Sequence, residues 1–103
     1  MVSIVFFTAA NEEEAKKIVE RLLEEKLVAC ANMFPVKSAY WWEDKLESSV
    51  EIFVWMKTRA DKFERIVERI KELHSYELPV VEMIDSKTFP DVEQWIESCV
   101  KEK

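Results

Sequence analysis

The spacing of apolar residues changes along this chain in an orderly way. Residues 2–8, VSIVFFT, are almost continuously apolar and rich in branched and aromatic side chains, which predicts a buried central strand. From Asn11 the period lengthens. Ala15, Ile18, Val19, Leu22 and Leu23 mark one face of a helix running to about residue 26, and Asn11 with Glu14 makes a capping-box pattern at its start. Residues 27–42 predict a long second strand, kinked near Pro35, because proline disrupts a ladder and favours edges or bulges. Residues 43–45 are the expected turn, and residues 46–57 the returning strand, with Val50, Ile52, Phe53, Val54 and Trp55 as its apolar core. Thr58 and Asp61 are expected to cap a second helix whose apolar face is Phe63, Ile66, Val67, Ile70 and Leu73. A loop at residues 74–79 (HSYELP) leads to a last strand at 80–85. Pro90 opens a final helix carrying Val92, Trp95, Ile96, Cys99 and Val100.

This order is βαββαβ plus a terminal helix. Right-handed crossovers turn it into an α+β, ferredoxin-like sandwich with helices on one face of an antiparallel sheet. The hairpin of the second and third strands is too long for so small a sheet. Its excess should project outward and offer an unpaired ladder to another subunit. The run 28–47 (VACANMFPVKSAYWWEDKLE) sharpens that expectation, because neighbouring strand residues point to opposite faces. Trp41 and Trp42 therefore cannot both enter one core, and one of them must meet a partner, a ligand or water.

Composition narrows the function classes. The 103 residues fit a single domain, residues 1–103, in which roughly two-thirds of the unfolded surface is buried, and oligomerisation would add to that. Net charge is −6, from 15 basic and 21 acidic residues, which argues against nucleic acid as a partner. RNA-recognition modules share the βαββαβ order, but no aromatic motif flanked by basic residues and glycine is present. The dense Glu and Lys content suits a heat-adapted, thermostable protein. Glycine is absent, which excludes phosphate loops of the P-loop and Rossmann kinds and leaves left-handed positions to Asn or Asp. No apolar run is long enough to cross a bilayer, and the apolar start lacks the basic lead of a signal peptide. With only Cys30 and Cys99, no disulfide scaffold is expected, and the cytoplasm is the expected location.

Candidate chemistry is sparse. Cys30 serves either as a small buried hydrophobe or as a soft ligand suited to copper(I). Cys99 falls on the apolar face of the last helix and reads as packing. His74, the single histidine, follows a helix end, where it either complements the helix dipole or binds a metal. One imidazole is not a metal site, so Glu72, Glu77 or a neighbouring chain would have to complete the shell. No Ser/His/Asp-type set is present and Cys30 has no activator nearby in sequence, so no enzyme is expected.

The runs EEKLVACANMFPVKSAYWWEDKLE, FVWMKTRADKF and ELHSYELP together resemble the CutA divalent-cation tolerance family, in order and spacing over essentially the whole chain. Its most specific pieces here are Ala29-Cys30-Ala31-Asn32, Tyr40-Trp41-Trp42-Glu43, Lys57-Thr58-Arg59 and the loop at 74–79. The resemblance implies a tight homotrimer, similar in architecture to trimeric nitrogen-regulatory signalling proteins. It also implies an association with copper(II) or another divalent cation, with a signalling role and no organic cofactor, nucleic acid or membrane. His74, Cys30 and Glu77 are the metal residues expected on this reading. It further implies clefts between subunits, where Trp42, Glu43, Lys57 and Tyr76, with His74, would hold a small regulatory ligand if no metal is physiological. Departures from the family pattern are Ser75 for a proline in the loop and Asp44 for a glycine in the turn. Some relatives assign copper to a cysteine and two adjacent histidines. The matching positions are Phe7, Leu73 and His74, so only His74 remains.

Overall fold

The computed structural model describes residues 1–100. Strand β1 (Val2–Ala9) leads to helix α1 (Glu12–Glu24), then the hairpin strands β2 (Cys30–Trp42) and β3 (Lys45–Thr58). A 3₁₀ turn (Ala60–Lys62) precedes α2 (Phe63–Leu73), followed by β4 (Glu82–Ser86) and α3 (Pro90–Cys99). The sheet order is β2-β3-β1-β4, and every neighbouring pair is antiparallel. The α+β, ferredoxin-like order expected from the sequence is the one observed.

Alternation along β1 divides two cores. Val5, Phe7 and Ala9 join Ile52, Val54 and Met56 beneath α1 and α2, which contribute Ala15, Ile18, Val19, Leu22, Ile66 and Ile70. Val2 and Ile4 point the other way and pack on Ile96 and Val100. The terminal helix thus lies on the face opposite α1 and α2, so the helices are not all on one side. The same face carries a ladder of rings. Phe34 stacks on Phe53 at 5.3 Å, Phe53 on Phe6 at 5.6 Å, and Phe6 on Trp55 at 5.9 Å. Phe34 is exposed and the other three are half-buried, and Phe6 and Trp55 pack against the cluster to which α3 contributes Ile96.

The last β1–β3 pair is Ala9 with Ile52, whereas β2 and β3 stay paired out to Trp42 and Lys45. Beyond the body the ribbon carries Trp41 (70% exposed), Leu46 and Val50 (63% exposed) in the open. Neither adjacent tryptophan is buried, and Val50 is not part of a core. The pairing register runs unbroken through Pro35, opposite Ile52, because β2 is an edge strand, where a missing N–H is tolerated. The hairpin closes on Glu43 and Asp44, both at positive φ (50° and 64°), the signature of a type I′ turn, and Lys45 belongs to the strand.

Other boundaries move for local reasons. Helix α1 ends in a Schellman motif, with Leu27 N–H donating to the Leu22 carbonyl and Lys26 N–H to the Leu23 carbonyl. Lys26 takes the left-handed position at φ 60°, so left-handed residues are Lys, Glu and Asp instead of Asn and Asp alone. Buried Leu27 and Val28 hold that geometry and delay β2 to Cys30. Thr58 does not cap α2. Its buried hydroxyl donates to the Leu27 carbonyl at 2.6 Å, while Asp61 takes the Arg59 guanidinium. Trp95 and Leu23, expected in cores, are exposed, and β4 begins at Glu82 instead of residue 80.

A left-handed conformation costs an ordinary residue about 1 kcal/mol more than glycine. Lys26→Gly should therefore stabilise the protein by roughly 0.5–1 kcal/mol in urea unfolding; an unchanged or lower midpoint would contradict the cap assignment.

Candidate functional site

Where β1 runs past the end of β4, the chain leaving α2 folds back against it. His74 is the C-cap of α2, with its backbone N–H donating to the Ile70 carbonyl. Its side chain is fully buried (0% exposed) and sits edge-on to Phe7, at 5.8 Å between ring centres. Tyr76 N–H donates to His74 Nδ1 at 3.0 Å, so that nitrogen carries a lone pair and no proton. The proton is therefore on Nε2, which donates to the Thr8 carbonyl at 2.7 Å. His74 is a neutral imidazole with both nitrogens engaged, and it does not act as a dipole-compensating cation.

Two carboxylates complete the cluster. Glu14, the capping-box residue of α1, accepts Ala10 N–H at 2.9 Å and Ser75 N–H at 3.0 Å, and its Oε2 lies 3.6 Å from His74 Nδ1. One side chain thus ties the start of α1 to the loop after α2. Glu51 on β3 is only 5% exposed and accepts the Tyr76 hydroxyl at 2.5 Å. Burial alone would raise the pKa of Glu51, but hydrogen bonds from Ser38, Tyr76 and Thr8 outweigh it and hold the carboxyl below its ordinary value. Burial likewise opposes ionisation of Glu14, and its bonds to Ala10 and Ser75 prevail, again lowering the pKa. Burial and the adjoining Glu51 carboxylate push the Tyr76 phenol well above its usual range.

The residues expected from the sequence are not gathered in one place. Cys30 stands opposite Lys57, and Lys57 opposite Ile4, four positions from Thr8 along β1 and so about 13 Å from the His74 contact. Glu77 is exposed, with no hydrogen bond or ion pair among the described residues. Trp42 and Glu43 are at the hairpin tip, separated from Lys57 by nearly the whole of β3, roughly 40 Å of strand. Among the described residues no three His, Cys, Asp or Glu side chains are grouped to hold a metal ion. The sequence reading missed Glu14 and Glu51 as site members. A visible signal was Glu51 itself, a carboxylate set within the apolar run VEIFVW.

Residues 3–99 match the profile of the CutA1 divalent ion tolerance protein family. The chain belongs to the CutA family. It is 39% identical to the divalent-cation tolerance protein CutA of Archaeoglobus fulgidus over 98% of this chain and 100% of that one. It is 46% identical to the Pyrococcus horikoshii protein of the same name over 80% of each chain. The solved structure of the Archaeoglobus fulgidus protein, described as periplasmic, superposes with a TM-score of 0.95 over 98% of this chain and 100% of that one, at 39% identity. The Pyrococcus horikoshii CutA1 crystal structure gives 0.92 over 99% and 100%, at 40% identity. Membership ties the chain to divalent-cation tolerance. No helix among the described residues is long and apolar enough to cross a membrane.

Glu51 and Glu14 have pKa values below the ordinary 4.5 in the folded state, so their stabilisation is complete above that value and disappears as pH falls through the lower, folded one. Urea unfolding across this acid range should show stability falling with pH. Glu51→Gln should lose about 1–3 kcal/mol at neutral pH and show a shallower acid slope; a slope equal to that of the unmodified protein would contradict the assignment.

Proposed function

We propose that this chain is a non-enzymatic divalent-cation tolerance protein that works as a homotrimer and binds copper(II) or a similar ion. Two separate apolar surfaces support assembly: the ring ladder Phe34–Phe53–Phe6–Trp55 on one face of the sheet, and Trp41, Leu46 and Val50, in water on the ribbon's other face, in line with Ile52 and Val54. Exposed apolar surfaces of this kind are characteristic of interaction faces. The ribbon supplies free strand edges beside them, suited to pairing with another copy. Three copies is the stoichiometry the family resemblance implies. Of the expected metal residues, exposed Glu77 retains free donor atoms, and carboxylate donors favour hard or borderline divalent ions over copper(I). The two thiols are free, as suits a reducing compartment, and we place the protein in the cytoplasm.

On this reading the 12.2 kDa chain sediments as a trimer even at submicromolar concentration. Replacing Trp41 and Trp42 together with serine should weaken assembly or leave an aggregating protomer. A monomeric parent protein, or a double variant of unchanged size and thermal stability, would refute the proposed interface. Calorimetric titration of copper(II) into metal-free protein should give a saturable isotherm; heats of dilution alone would refute the cation contact.

A further inference from the structure

His74 is the one residue remaining from the histidine–cysteine set that holds copper in some relatives, and the structure tests whether it fits that task. A cation needs a nitrogen lone pair facing an open position. Here Nε2 carries its proton toward Thr8, and the Nδ1 lone pair accepts Tyr76 N–H. No part of the side chain is exposed. The phenyl ring of Phe7 packs against it at the position matching the cysteine, giving an apolar contact in place of a thiolate. Leu73, at the position matching the second histidine, has no ligating side-chain atom and packs against the core. The residues do not fit a metal.

The same contacts fit another role. Nδ1 holds the backbone of Tyr76, the two rings lie 4.5 Å apart, and the Tyr76 hydroxyl reaches buried Glu51. Glu14 closes the loop from the other side through Ser75 N–H. We infer that His74 is a positioning residue, fixed as the Nε2–H tautomer, which holds Tyr76 on Glu51 and does not coordinate the cation. The inference depends on the cation reading above only for its choice of probe.

Because the chain has one histidine, its imidazole nitrogens are resolved without ambiguity by long-range ¹H–¹⁵N correlation on the full-length protein. The expected spectrum has an unprotonated Nδ1 and a protonated Nε2, unchanged when zinc(II), a diamagnetic probe, is added to saturation. A proton on Nδ1, or a zinc-induced shift of Nδ1, overturns the inference. His74→Asn provides the second test, because the Asn carbonyl can take the Tyr76 N–H in the manner of an Asx turn. It should keep the raised phenol ionisation of Tyr76, followed by ultraviolet absorbance, whereas His74→Ala should lower it. Copper(II) affinity should change by less than about twofold in His74→Asn, a negligible free-energy difference. A loss of about tenfold or more, the scale of a disturbed metal shell, overturns the inference. If zinc and copper fail to bind at all, the cation reading fails, and the tautomer and the phenol titration still decide the role of His74.

Discussion

A two-stranded ribbon in water is marginal, and the structure of this chain depends on how that constraint is met. Strand β3 carries both sides of the problem. Its second half sits between β1 and β2, with Ile52, Val54 and Met56 under the helices. Its first half has β2 as its only partner and leaves Val50 and Leu46 in water. The same strand supplies Phe53 and Trp55 to the ring ladder on the half-covered face. Body and ribbon are therefore one continuous element, and it leaves apolar side chains uncovered on both faces: the ring ladder on one, Val50 and Leu46 on the other.

The polar cluster is the counterpart of those surfaces. Glu14, His74, Tyr76 and Glu51 come from α1, the loop after α2, and β3, and their hydrogen bonds close the end of the core where β4 stops short. A buried carboxylate such as Glu51 is tolerated because hydroxyl donors replace its lost water. Farther along, Arg69 bridges Glu25 of the α1 cap and Glu72 of its own helix, and Arg65 reaches Glu25 and Glu68. Exposed pairs of this kind each contribute little at room temperature and gain weight as a network when hot.

The element order was legible in the sequence because its strands and helices have different apolar periods, and those periods follow directly from backbone geometry. The ends were less legible, because they depend on contacts distant in sequence. Thr58 has the composition of a cap, yet its hydroxyl goes to the Leu27 carbonyl, 31 residues away. Lys26 looks unsuited to a left-handed position, yet buried Leu27 holds it there. The capping-box role of Glu14 could be read locally, but its bond to Ser75, 61 positions on, could not. His74 stands out in the sequence as the single histidine, and its partners, Thr8 and the Tyr76 amide, are backbone groups that no side-chain motif reveals.

The central claim is that the ribbon does not stand alone in solution, and hydrogen exchange tests it directly. In the proposed assembly, where copies of the chain would cover the ribbon's faces and edges, peptides covering residues 36–50 should be protected nearly as well as those covering β1. Fast exchange throughout that segment, beside a protected β1, would show a free ribbon and contradict the account.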